Sequence, residues 1–417
     1  MFPKTLPIAA ALCAFGMSIP FLQAASSGPA TLPPLRTDGV FIVDSDGNRV
    51  NLRGVNLGGW LLEEIWMLPF EDKPPQGTDF EEITCHTTLW RTIEKRFGQA
   101  DMLRIRKAWR ENWITKADFQ NIKNAGFNCV RLPFLYDSLN APDGLYPWID
   151  QALVWAREVG IYVIIDLHGA PGRQSGEHHT GHRGQDRMFK DPAMVEKTVE
   201  VWKQVAARYK DYPEVAAFDL LNEPTGTPNE GTLYLVYDRL YRAVRPIAPE
   251  KILIIDDAYR GIKGMPIPKI VGWENVALSQ HEYLFNAKST EHHGENLESM
   301  MKKLLEGRAL RDAPIYVGEF NIEPHSSAEM MRKFMDTFDA NGISWTIWTY
   351  KTAMRGGGGG MWGWFRSPKE IQTINPYKDS LDEILNKIAQ IRTENLEESA
   401  IADALRLPPV KDVAKHP

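Results

Sequence analysis

Two short stretches of the chain each end an apolar run in a glutamate: Leu220-Leu221-Asn222-Glu223-Pro224 and Tyr316-Val317-Gly318-Glu319-Phe320. A carboxyl group at the end of a buried strand is costly unless it is paired or put to use. Two that face each other suit the cleavage of a glycosidic bond, one protonating the leaving oxygen while the other attacks the sugar carbon. The purely structural alternative is a rim salt bridge from each glutamate to an arginine. Other apolar runs end in the same way, in Asn56, Arg131, His168, His281 with Tyr283, and Trp348. A single polar ending could be a satisfied core group, but so many converging endings argue for a shared site. Asn222 beside Glu223 could hydrogen-bond a sugar 2-hydroxyl, where contacts strengthen in the transition state. A cation such as Arg131 near a carboxyl favours its charged form. Tyr283 could orient the same group, and Trp348 offers a flat face for a pyranose ring.

The elements that must position these residues are legible as repeated runs. Eight apolar segments recur, at residues 51–57, 129–134, 162–168, 215–223, 252–257, 276–283, 315–320 and 343–350. Continuous Val- and Ile-rich runs mark strands buried on both faces. Helical spacing lies between them, at residues 116–125, 148–159, 193–209, 233–244, 297–305 and 328–340. Alternation of this kind implies parallel strands with right-handed crossovers, and eight units close into a (β/α)8 TIM barrel. The rival, an open doubly wound sheet, would be favoured by a G-x-G-x-x-G turn after the first strand, which is absent. In the barrel the strand C-termini carry the site, and strands four and seven set Glu223 and Glu319 across its mouth. An Asp-Gly turn at Asp46-Gly47 predicts an N-terminal hairpin able to plug the barrel bottom. Long loops at the C-terminal face are expected from residues 60–113 and from the glycine run 356–360, read as a mobile loop carrying aromatic residues over the mouth. A last helix is expected over 381–391. Residues 25–395 form one catalytic domain in this reading, and 396–417 a tail.

The motifs together resemble glycoside hydrolase family 5. Besides the two glutamate stretches, Val130-Arg131-Leu132-Pro133, Asp166-Leu167-His168-Gly169, His281-Glu282-Tyr283 and Trp348 fall in order on the expected strands. The resemblance implies a TIM barrel, with Glu223 as acid/base, Glu319 as nucleophile and retention of anomeric configuration. Gly54-Val55-Asn56-Leu57-Gly58-Gly59-Trp60 and Asp166-Leu167-His168-Gly169-Ala170-Pro171-Gly172 are similar to the exo-β-1,3-glucanase branch. That branch implies a β-glucan or β-glucoside oligosaccharide as substrate and makes Glu64, or else Glu63, a contact for the terminal sugar. An endo-β-1,4-glucanase is the alternative, and a glycan-binding barrel without catalysis is a more distant one. Trp60, Trp66, Trp362 and Trp364 are candidates for sugar subsites, two of the four being expected there and Trp60 and Trp362 being favoured.

Residues 1–24 read as an export signal, with Lys4 ahead of an apolar run that ends at Leu22-Gln23-Ala24. A secreted or periplasmic protein without a membrane span after processing is expected. The chain has 417 residues and a formal charge of −6, with no basic block of the kind nucleic-acid binders use. A monomer is expected. Past the signal two cysteines remain, Cys85 and Cys129; a disulfide between them is possible in an exported protein, but Cys129 sits in an apolar strand and reads as a buried thiol. The run Glu177-His178-His179-Thr180-Gly181-His182 has no strong zinc spacing and reads as a polar cleft loop. No metal and no cofactor are expected.

Overall fold

The eight apolar runs form parallel strands: β1 (Arg53–Asn56), β2 (Cys129–Leu135), β3 (Tyr162–Gly169), β4 (Val215–Asp219), β5 (Ile252–Asp256), β6 (Val276–Glu282), β7 (Ile315–Phe320) and β8 (Ser344–Ile347). They close into a barrel in chain order, with β8 pairing back to β1 through Trp345 opposite Arg53 and Ile347 opposite Val55. The computed structural model describes residues 32–355, 362–368 and 371–408. Every residue of β2, β3 and β7 is buried, which is why these segments read as unbroken apolar runs rather than alternating ones. Amphipathic helices cover the outside, among them Lys116–Asn124, Tyr146–Val159, Pro192–Tyr209, Glu230–Val244, Thr290–Arg311 and Ala328–Ala340. The crossover from β5 to β6 carries a 3-10 turn, Ile262–Gly264, and the four-residue helix Pro268–Val271.

The N-terminal hairpin closes the barrel bottom. Phe41–Val43 pairs with Arg36–Asp38 on one side and bridges to Arg49 on the other. In the turn, Asp44 accepts from the backbone of Asp46 and Asn48. Leu35, Ile42 and Leu52 join Tyr162, Ile164, Ile252 and Ile254 in one apolar cluster under the strands.

The insertion after β1 holds more structure than its reading as a long loop anticipated. Residues His86–Trp113 form a helix interrupted at Gly98, whose φ of 77° is left-handed. From behind, this helix grips the turn that follows β1: Trp109 Nε1 donates to the Gly59 carbonyl (2.9 Å) and Trp113 Nε1 to that of Gly58 (2.7 Å). A side chain at Gly59 would meet the Trp113 ring at 2.8 Å, and φ there is +78°, so the Gly-Gly pair is required by close packing and backbone geometry together. Helix Leu381–Ala389 lies against this same helix. Residues 396–408, read from the sequence as the start of a tail, fold onto the barrel. Glu397–Glu398 pairs with Phe365–Arg366, Ile401 and Leu405 are buried, and Leu407 N donates to the Ala125 carbonyl (2.7 Å). Cys85 and Cys129 are both buried free thiols, so no bridge joins them. Residues 1–24, read as an export signal, and the glycine run lie outside the described residues, and among the described residues no helix is long and apolar enough to cross a membrane.

Candidate active site

At the C-terminal ends of the strands the polar endings meet around one fully buried guanidinium. Arg131, the third residue of β2, donates Nη1 to Glu319 Oε1 (2.8 Å) and Asn56 Oδ1 (3.0 Å), Nη2 to Asn222 Oδ1 (2.8 Å), and Nε to Asp219 Oδ2 (2.9 Å). Asp166 Oδ1 lies 3.1 Å from Nη2. Burial opposes the positive charge, but Asp166, Asp219 and Glu319 outweigh it, so the guanidinium is held charged beyond its ordinary range. One planar five-donor group thereby ties the ends of β1, β2, β3, β4 and β7 together, a task a lysine could not perform. Burial and the neighbouring Asp166 together push the Asp219 carboxyl up to about 6, against the pull of Arg131. Asp166 and Asp219 were not among the residues expected here; as acidic residues inside apolar runs they carried a signal that could have been used.

Glu319 is held at both oxygens, since Tyr283 donates its hydroxyl to Oε2 (2.8 Å). Glu223 follows β4 with a left-handed backbone, φ 41°, a conformation that costs a non-glycine residue energy and is met at functional sites. Its Oε1 accepts from the Tyr259 hydroxyl (2.5 Å) and lies 2.7 Å from His281 Nδ1, while Oε2 is 3.3 Å from His179 Nε2. Burial resists ionisation of Glu223, but the hydrogen bond from His281 and the charges of His179 and His281, helped by Tyr259, pull its carboxyl below the usual range. His281 shows the converse. Burial disfavours its charge, yet Glu319, Asp256 and Glu223 around it raise the imidazole to about 10. The surrounding charges thus favour a proton on His281, one hydrogen bond from Glu223, over one on Glu223 itself.

Tyr259 was not anticipated. It enters the site because Ala258 and Tyr259 both adopt positive φ (54° and 61°) and turn the chain back after β5. Asp257 fixes that turn by accepting from the backbone N–H of Tyr259 (3.0 Å) and Gly261 (2.7 Å).

Over the mouth lies a cavity of about 410 Å³ whose lining includes both glutamates, His168, Asn222, Tyr283 and Trp348. His168 stacks on Trp348 with ring centroids 5.5 Å apart, and its Nδ1 is bound to Asp166 (2.6 Å). Burial works against a charge on His168, but Asp166 raises its basicity above the ordinary value. Glu64 also lines the cavity; its Oε2 accepts from Trp66 Nε1 (2.9 Å) and lies 3.1 Å from His178 Nε2. Glu63 points away, buried against His86 and Trp90. The histidine run proves to be a cleft loop, with His178 directed to Glu64 and His179 to Glu223.

The aromatic expectation needs one correction. Trp60 is fully buried and does not line the cavity; its Nε1 donates to the Arg110 carbonyl (2.9 Å) and its ring stacks on Trp155, because the helix His86–Trp113 packs behind it. Trp66 and Trp362 take the places at the rim. They meet edge to face at 5.3 Å, and Phe285, also unanticipated, stacks on Tyr283 and Trp362 with 66 % of its surface exposed. Trp364 is buried against Tyr350 and Phe365.

Glu223, His281 and Glu319 offer ligand atoms within 4.8 Å of one another. Glu223 Oε1, both oxygens of Glu319 and His281 Nδ1 already take part in hydrogen bonds with one another or with Arg131, Tyr259 and Tyr283.

A (β/α)8 barrel with two facing glutamates, one just after β4 and one on β7, set in this Arg–Asn–His–Tyr frame, defines the class of barrel glycoside hydrolases. Residues 76–354 match the family model for cellulase (glycosyl hydrolase family 5), and the chain belongs to that family. It is 33 % identical over 240 residues to a probable glucan 1,3-beta-glucosidase A of Aspergillus clavatus, covering 56 % of this chain and 55 % of the relative. It is 28 % identical over 351 residues to a beta-xylosidase of Phanerodontia chrysosporium, covering 76 % of this chain and 70 % of that protein. The chain thus spans between about half and two-thirds of the length of the glucosidases it matches. Among solved structures, a rutinosidase from Aspergillus niger superposes with a TM-score of 0.59 at 20 % identity, covering 72 % of this chain and 90 % of the other, a likeness of fold.

Proposed function

We propose that the protein is a retaining β-glucosidase acting on β-glucan, releasing glucose from chain ends in the manner of an exo-β-1,3-glucanase. The observation that carries retention is the gap between the glutamates, whose nearest oxygens lie within 4.8 Å. Retaining enzymes hold the two carboxyls about 5–5.5 Å apart, whereas inverting ones leave about 6.5–9.5 Å for a water.

In the first step Glu319 attacks the anomeric carbon and forms a glycosyl ester, while Glu223 passes a proton to the departing oxygen as the C–O bond breaks. The His281–Glu223 hydrogen bond (2.7 Å) supplies that proton. In the second step Glu223 takes a proton from water, whose oxygen displaces Glu319 and restores the carboxylate with the original anomeric configuration. Arg131 and Tyr283 hold the two oxygens of Glu319 in line throughout, and Asn222 faces the sugar 2-hydroxyl.

The terminal sugar sits over Trp348, with His168 and Glu64 beside it. Tyr259, half exposed and bound to the acid/base, marks the outlet on the leaving-group side. A cavity of about 410 Å³ is near the small end of ligand cavities, about 300–1,000 Å³, and suits a chain end better than a long stretch of polymer. The resemblance to glucan 1,3-beta-glucosidases supports the linkage. Residues 1–24 make the enzyme an exported one in this reading. Digestion of laminarin, lichenan, pustulan and carboxymethyl cellulose tests the assignment. Glucose as the first product, fastest from laminarin, is expected; an oligosaccharide ladder, or preference for carboxymethyl cellulose, would overturn it.

A further inference from the structure

Behind the rim residues Trp66 and His178 lies a second cavity, of about 380 Å³, which shares both of these side chains with the active-site cavity. Its floor is apolar, formed by Leu68, Phe70 and Ile83, and its edge is polar, formed by Asp72, Arg183 and Arg355. An apolar surface ringed by hydrogen-bonding groups matches the faces and hydroxyls of a pyranose. What separates the two spaces is a three-residue contact. One oxygen of the buried Glu64 carboxylate holds Trp66 Nε1 at 2.9 Å and His178 Nε2 at 3.1 Å. The other, Oε1, is buried without a hydrogen-bond partner, with His168 Nε2 3.9 Å away. An orphaned carboxylate oxygen beside the sugar position calls for a donor, and a hydroxyl of the terminal ring supplies one.

We infer that Glu64, Trp66 and His178 form a partition that ends the glycone side of the cleft, and that the cavity behind it is a closed-off subsite for one further glucosyl unit. This rests on the chain-end reading above. The partition is held by side chains while the loop beneath it is anchored independently: Thr87 N and Oγ1 both bind the Gly181 carbonyl (3.0 and 2.7 Å), and a side chain at Gly181 would meet Leu135 at 2.7 Å. Removing the two rings therefore opens a passage without releasing the loop. Chain-end specificity in this protein is then a matter of what blocks the next subsite, a repulsive element rather than an attractive one.

The test is the first cut made in a β-1,3-linked glucotetraose, followed by initial rates. The wild-type enzyme should release glucose and trisaccharide. The double variant Trp66→Ala/His178→Ala should release disaccharide in roughly one first cut in ten, a gain that mere damage to the site does not produce. Phe285→Ala, at a residue that lines the active-site cavity but not the cavity behind the partition, should release no disaccharide at first. Glucose alone from a double variant with a native near-ultraviolet dichroism spectrum overturns the inference, as does early disaccharide from Phe285→Ala. If the double variant folds but is inactive, His178→Ala decides: it must itself release disaccharide, and glucose alone from it overturns the partition. Early disaccharide from the wild-type enzyme would defeat the chain-end reading and the partition with it, whereas failure in the variants alone leaves that reading standing.

Discussion

Replacing Tyr283 by phenylalanine isolates one hydrogen bond to Glu319, the proposed nucleophile. The Tyr283 ring is held by Phe285 (5.0 Å) and Trp362 (5.9 Å), so Tyr283→Phe keeps the packing and deletes the hydroxyl that donates to Glu319 Oε2 at 2.8 Å. Burial and the Glu319 charge raise the phenol well above its ordinary range, so it serves as a donor at any working pH. A hydrogen bond to a charged partner is worth about 1.5–3 kcal/mol. At about 1.36 kcal/mol per tenfold, its loss should slow attack by roughly 10- to 150-fold. Arg131 still binds the other oxygen of Glu319, so the variant should be slowed rather than dead. The assay is kcat/KM, which reports the first chemical step, for a series of aryl β-glucosides, with thermal unfolding measured in parallel. A change of less than about threefold would mean that Tyr283 does not position the nucleophile. A large loss accompanied by a collapse in melting temperature would place its role in folding instead.

Glu223→Ala should turn over activated aryl glucosides slowly, and added azide should restore rate by attacking the glycosyl ester without a base, giving a β-glucosyl azide; absence of the azide product would argue against the acid/base role. His281→Gln removes the group that keeps a proton beside Glu223 up to about pH 10, so the basic limb of kcat/KM should move to lower pH, and an unmoved limb would refute the proton store. Burial lowers Lys351 from 10.5 to about 8, against the pull of Asp118 and Glu394. The unfolded chain then binds more protons than the folded one between those values, and stability rises with pH through that window. The ammonium costs about 3 kcal/mol at neutral pH. The melting temperature of Lys351→Met relative to wild type should therefore be highest at pH 7 and decline towards pH 10; a constant difference would contradict the burial of a charged amine.

The barrel was legible because strands buried on both faces cannot alternate, leaving eight apolar runs with polar residues only where the mouth requires them. Asn222, Glu223, His281, Tyr283, Glu319 and Trp348 were readable for that reason, at or just beyond the end of a run, and Arg131 as a charge inside one. What was hidden depends on packing between distant segments. Trp60 and Trp66 share one loop, and their fates divide only because the helix His86–Trp113 claims the first. That helix was itself traceable, since Met102, Ile105, Trp109 and Trp113 follow helical spacing and are buried; the break at Gly98 disguised its length. Tyr259 reaches Glu223 through two consecutive left-handed residues, neither a glycine, which no residue preference announces. Adjacent histidines 178 and 179 serve different carboxylates, a division set by the loop's path and not by its composition.

The account turns on Glu319 forming a covalent ester with sugar. A 2-deoxy-2-fluoro-β-glucoside bearing an activated leaving group slows both steps, and the second more than the first, so the intermediate accumulates. Peptide mass spectrometry of the inactivated enzyme should find one fluoroglucosyl group on Glu319 and none on Glu223. A label on any other residue, or release of 2-deoxy-2-fluoro-α-glucose as the first product with no label at all, would contradict the mechanism.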